Sequence, residues 1–248
     1  MVPTALSRRR SIFRFATTLS LVTALLLSTC TAPAAEKDHP AATPPAAPNE
    51  RVLAGSLHGR TGAYLTVRDA ASRVEVRLAD LPGLLYRIST PANSGLTPQV
   101  SGPSGRVRLG LRATGDDGPD TVRILLNRAV RWDIRLPAGA GEQRLDLSAG
   151  RVERVDLGAS GLIDLQLPQP VGTVPLVLRG GAGTVTMAGP PTAPMRISLR
   201  EGAGSVVTHW TSTNGMAAGA ILTDPAWPAA ADRYSVYARD GLGSLTIR

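Results

Sequence analysis

The chain has 248 residues, with 43% hydrophobic content and 26 glycines and 20 prolines against nine aromatic residues. That balance excludes a helical bundle and wholesale disorder, and its single cysteine excludes an internal disulfide and a Cys-cluster metal site. The formal charge is +8, but residues 1–29 hold four arginines and no acid, which leaves 23 basic against 19 acidic residues and a net charge of +4 in the remainder. Those arginines are interleaved with acids, which argues against nucleic acid as a partner.

The chain opens as an export address. Arg8, Arg9, Arg10 and Arg14 form a basic segment, and residues 15–27 follow as an apolar run of 13, too short to span a bilayer. The run ends in Leu27-Ser28-Thr29-Cys30, which resembles the lipobox of bacterial lipoproteins. That resemblance implies cleavage after residue 29 and diacylation of Cys30, giving a membrane-anchored extracytoplasmic lipoprotein; Thr29 stands where Gly or Ala is usual. The alternative is cleavage near Ala32-Pro33-Ala34 and plain secretion. Arg9 and Arg10, in Arg9-Arg10-Ser11-Ile12-Phe13, resemble a twin-arginine export motif, with a generic basic n-region as the alternative. Residues 30–50 are rich in Ala, Pro and Thr and read as an extended tether.

The remainder, 51–248, reads as one all-β domain. Its first part offers strands at 63–67, 73–78, 84–89, 106–111 and 121–126, separated by turn signals such as Gly115-Asp116-Asp117-Gly118-Pro119. This part either begins a repeat or forms a β cap. Repeats are clear from about 121 to 248. Corners stand at Gly139-Ala140-Gly141, Gly158-Ala159-Ser160-Gly161, Gly181-Ala182-Gly183, Gly202-Ala203-Gly204 and Gly241-Leu242-Gly243. Their last glycines lie 20, 22, 21 and 39 residues apart, and the long gap leaves room for a further unit near Gly219-Ala220-Ile221-Leu222. Aliphatic residues at i and i+2 flank each corner, as in Ile134/Leu136 before and Leu145/Leu147 after. Such residues share one face of a strand, so each unit offers two short strands that only stacking can bury. The expected fold is a single-domain β-solenoid with rungs of roughly 20 residues. Residues 211–232 read as a loop or one short helix.

The recurring apolar-x-apolar, Gly-Ala-Gly, apolar-x-apolar pattern resembles the bacterial putative-adhesin domains of unknown function. The resemblance implies a cell-envelope β-solenoid without catalytic residues, and in that family adhesin is a name, not a demonstrated activity.

The search for chemistry finds no enzyme. There is no Gly-x-Ser-x-Gly elbow, His58 and His209 are read as turn or surface residues, and no metal or cofactor site emerges. Asp116, Asp117 and Asp120 crowd one loop without EF-hand spacing and read as a solvated turn. Asp146, Asp156 and Asp164 alternate onto outer faces, with Arg135, Arg144 and Arg154 near them. Asp146 and Asp164, 18 residues apart, are expected to stack as neighbours. The expected binding surface is Arg135, Arg144, Arg154, Asp146 and Asp164. Its expected partners are cell-wall polymer, anionic lipid or another envelope protein, with the membrane reached through the lipid anchor. The alternatives are a carbohydrate-active enzyme using the outward aspartates and an envelope-stress sensor module.

Overall fold

The computed structural model describes residues 49–248. Cys30, Arg9, Arg10 and nearly all of the expected tether lie outside the described residues. Within them the chain is almost wholly β, with one 3₁₀ turn at Trp227–Ala229.

Seven strand pairs follow one scheme: a first strand on one sheet, a corner, and a second strand on the other. In chain order they are β2 (Gly62–Val67) with β3 (Ala71–Ala79), β6 (Arg106–Ala113) with β7 (Thr121–Asn127), and β8 (Arg131–Leu136) with β9 (Ala140–Asp146). Then come β10 (Arg151–Leu157) with β11 (Ser160–Gln166), β12 (Thr173–Leu178) with β13 (Ala182–Ala188), β14 (Met195–Leu199) with β15 (Ala203–Val207), and β18 (Arg233–Ala238) with β19 (Leu242–Ile247). The second strands run parallel in a ten-stranded sheet A, the first strands parallel in a nine-stranded sheet B. Antiparallel strands finish both sheets. On sheet A these are β1 (Glu50–Ser56) and β4 (Leu84–Pro91) at one end and β16 (Ser212–Met216) at the other. On sheet B they are β5 (Leu96–Ser101) and β17 (Ala220–Thr223).

The alternation seen in the sequence explains the register. Inner residues meet in ladders, such as Ile134, Val155, Leu176, Val236 and Ile197 on sheet B and Leu145, Leu165, Met187 and Ile247 on sheet A. All are buried, and a one-residue slip would turn each aliphatic row to solvent. Burying each such side chain contributes roughly 1.5–3 kcal/mol. Trp132 and Tyr234 are also fully buried. Trp132 Nε1 donates to the Asn127 carbonyl at 2.9 Å, and the Tyr234 hydroxyl donates to the Pro168 carbonyl at 2.6 Å.

The corner glycines have two different reasons. Gly139 and Gly202 take positive φ, +74° and +82°. The second glycines stack instead: a Cβ on Gly243 would lie 2.3 Å from the Gly183 carbonyl, and one on Gly183 would lie 2.6 Å from that of Gly161. A side chain there would push the rungs apart.

The all-β expectation holds, but the path is not a simple coil. The stacking order is β6/β7, β2/β3, β8/β9, β10/β11, β12/β13, β18/β19, β14/β15. At each end the chain skips a place, makes antiparallel cap strands, and has its other rung filling the skipped place. The unit expected near Gly219 is therefore no rung. It is β17, an antiparallel edge strand on β14, and the gap of 39 residues spans a cap. Residues 51–120 supply both things that were weighed, two rungs and a cap. Residues 211–232 hold β16, β17 and the 3₁₀ turn.

Candidate functional site

Alternation leaves two outer faces, and the charged residues of the first five rungs divide between them. On sheet A the register sets Arg123, Glu75, Arg144 and Asp164 in one cross-strand row, with alternating sign. The neighbouring rows carry Arg73 beside Glu142 and Arg77 beside Asp146. Ion pairs link them: Arg73 to Glu142 at 2.5 Å, Arg123 to Glu50 at 3.0 Å and to Glu75 at 3.3 Å, Arg77 to Asp146 at 3.5 Å, and Arg144 to Glu142. Desolvation works to raise the Glu142 pKa, but the hydrogen bonds from Arg144 and Arg73 outweigh it and hold the carboxyl below its ordinary value. This face neutralises itself.

The five residues expected to form one surface are split by this geometry. Arg144, Asp146 and Asp164 lie on sheet A; Arg135 and Arg154 lie on sheet B. Asp146 and Asp164 do not stack. Asp146 has Gln166 as its register partner, and Asp164 has Arg144. The corner between β10 and β11 is shorter than the period implies, which offsets the two aspartates by two positions. No pair of carboxylates is thereby set up for acid–base work.

On sheet B, the strands β6, β2, β8 and β10 and the residue after β12 carry eight arginines and three acids on the outside. The arginines are Arg106, Arg108 and Arg112, then Arg131 and Arg135, then Arg151 and Arg154, and last Arg179. The surplus of five equals that of the whole described domain, which has 22 arginines and 17 acids over 49–248.

Two of the three acids lie beneath the arginines. Asp133 accepts a two-pronged hydrogen bond from Arg135, Nε at 2.8 Å and Nη2 at 2.7 Å. Asp156, 1% exposed, accepts one from Arg179, with both contacts at 2.5 Å, and Arg154 approaches it at 3.6 Å. Each hydrogen-bonded fork raises the arginine's pKa and fixes its orientation. A bulge between Val152 and Arg154 sets Arg154 opposite Asp133. Arg106 and Arg108 stand differently. Among the described residues neither has a carboxylate at ion-pair distance, and Arg106 instead lies over the Tyr64 ring, 5.7 Å from its centroid.

A cavity of about 300 Å³ opens here, lined by Tyr64, Thr66, Arg106, Val107, Arg108 and Arg135. Thr66 is its low point, between Arg108 on one neighbouring strand and Arg135 on the other. Tyr64 is 47% exposed and supplies an aromatic edge. Guanidinium forks on two sides of a hydroxyl suit a carboxylate, phosphate or sulfate. Arg106, Arg108 and Tyr64 were missed in the sequence because they fall in its less regular first part. The available signal was Arg106-x-Arg108 on an alternating strand.

The other residues weighed for chemistry do not assemble. Asp116 pairs with Arg51 at 2.7 Å, whose hydrogen bond lowers the aspartate's pKa, and Asp117 is exposed. His58 sits exposed in a turn at φ +46°, and His209 packs against Trp210 with Nε2 3.2 Å from Asp224. Among the described residues no three His, Cys, Asp or Glu side chains converge as metal ligands would.

No family model matches the chain, and no curated protein matches it either. Solved structures do. A "putative cell adhesion protein" from Clostridium sporogenes superposes with a TM-score of 0.62 at 16% identity, covering 80% of this chain and 99% of that one. At that identity the likeness is one of fold alone. A "putative adhesin" from Bacteroides fragilis gives a TM-score of 0.28 at 8% identity over 82% of this chain and 98% of the other, too distant to bear on it.

Proposed function

We propose that this chain is a non-enzymatic, adhesin-like recognition module of the bacterial cell envelope, which binds anionic envelope polymer through the outer face of sheet B. The observation that carries the reading is the arginine surplus on that face, with its acids buried under Arg135 and Arg179 and with Arg106 and Arg108 unpaired. A surface of this kind attracts polyanions at long range and holds them by charge-assisted hydrogen bonds. The fold shared with a protein described as a putative cell adhesion protein supports the same direction. In this reading Cys30 is acylated, residues 30–50 form the tether, and the domain works outside the membrane.

Two measurements test the proposal. The full-length protein in detergent is sedimented with purified anionic wall polymer and with a neutral glycan, at low and high salt. Binding to the anionic polymer alone, weakening with salt, is expected. Equal binding to the neutral glycan would overturn it, and so would cleavage of either polymer. Separately, labelled palmitate fed to cells marks the wild type but not Cys30→Ala; label in neither, with the protein in the medium, would remove the anchor from the proposal.

A further inference from the structure

The geometry points to a particular ligand for this face: we propose a linear acidic glycan that lies across the strands, along the stacking direction, with its anionic groups meeting arginines on alternate rungs. The inference rests on the polymer-binding reading above and adds the ligand's class, direction and minimum length.

The register supplies the pattern. In one cross-strand row stand Arg108 on β6, Thr66 on β2, Arg135 on β8 and Asp156 on β10. The next guanidinium is that of Arg179, which follows β12 and folds back onto Asp156. Sheet B runs β6, β2, β8, β10, β12. The arginines of this line therefore come from the first, third and fifth strands, with a hydroxyl and a buried acid between them. The neighbouring row repeats the idea, with Arg106 on β6 and Arg154 on β10, and Tyr64 and the buried Asp133 between. Adjacent strands lie about 4.8 Å apart, so successive arginines of the line are about 10 Å apart and the line is about 19 Å long. A single compact anion reaches one or two of these groups; an extended chain reaches all of them.

Direction follows from the same arrangement. Along the strands the cations are interrupted, because β2 carries none within its bounds. Across the strands they recur without an exposed acid in the line. Arg135 and Arg179 are already oriented by their buried carboxylates, so little side-chain freedom is lost when a ligand binds. Tyr64 decides the class. An exposed aromatic ring at the edge of the cavity between Arg108 and Arg135 favours a polymer with a sugar ring over a bare phosphate chain or a lipid headgroup.

The test is a length series on the full-length protein in detergent, using mono-, di-, tetra- and octagalacturonate with inorganic polyphosphate and phosphatidylglycerol vesicles as competitors. Affinity per carboxylate is expected to step up at least tenfold between the disaccharide and the octasaccharide, once the chain bridges Arg108 to Arg179. Arg108→Gln, at an exposed and unpaired position, is expected to abolish the step while leaving the monosaccharide's weak binding. Arg77→Gln on sheet A is expected to change neither. Affinity that merely scales with carboxylate number would overturn the proposed alignment, as would a step that survives Arg108→Gln. Polyphosphate or vesicles competing as well as octagalacturonate would overturn the glycan assignment. Octagalacturonate that fails to bind while wall polymer still binds would sink this inference and leave the broader reading standing; failure of both would remove the two together.

Discussion

On sheet A the outer carboxylates share the surface with their arginines; on sheet B they lie under them. Glu75 and Asp146 keep side-chain exposures of 33% and 38%, whereas Asp133 and Asp156 keep 9% and 1%. The same two residue types thus perform two tasks. An exposed acid cancels the charge of its neighbour and gives the face a mixed-sign surface that resists self-association. A buried acid orients an arginine and leaves its remaining donors facing outward. The difference is set by register and by rung position, since both faces have the same alternation.

This contrast can be broken most strongly at Asp156. Asp156→Ala is expected to leave Arg154 and Arg179 without their shared buried partner and to cost on the order of 2 kcal/mol, read as a lower urea midpoint at unchanged slope. The next effect is on binding. Arg106→Ser with Arg108→Ser is expected to weaken attachment to anionic wall polymer about tenfold, equivalent to about 1.4 kcal/mol, with a shallower salt dependence. The matched pair Arg77→Ser and Arg123→Ser on sheet A is expected to leave attachment unchanged.

Acid sharpens the comparison further. Because the folded-state pKa of Glu142 is held below 4.5, its pairing stabilises the fold fully above that pH and loses its contribution as pH falls through the depressed value. A midpoint measured between pH 3 and pH 5, on the order of the ordinary carboxylate range, is expected to fall less steeply in Glu142→Gln than in the wild type. The difference should stay under about 1 kcal/mol, since the partners Arg73 and Arg144 are largely exposed. The smallest effect belongs to Asp146→Asn, whose partner Arg77 is 68% exposed at 3.5 Å; its urea midpoint should move by less than about 0.5 kcal/mol.

What the sequence disclosed follows from which interactions are local. The pairs Ile134/Leu136, Val155/Leu157 and Leu176/Leu178 announce strands because burial on one face imposes a period of two on neighbouring residues. The glycines mark corners for a similarly local reason. Register is not local. That Asp164 meets Arg144 and not Asp146 depends on the length of a corner, to within one residue. That β18 lies between β12 and β14 depends on partners far apart in the chain. The binding face was half visible for the same reason. Arg135 and Arg154 could be picked out from the repeat, but their union with Arg106, Arg108 and Tyr64 needs β2 to lie between β6 and β8.

The skipped places at the two ends bear on how the molecule comes apart. In an ordinary array of repeats the terminal unit is held on one side only and peels away first. Here the last strands in sequence, β18 and β19, are flanked on both sides, by β12 and β14 and by β13 and β15. Pulling them out opens a gap inside both sheets and strands β14 and β15 beyond it. The end of the domain is therefore expected to resist fraying, with the amides of Val236 and Leu245 exchanging with solvent only when the whole domain opens. By the same token the array is closed to growth: a rung added after β19 in sequence would find no free strand edge beside it.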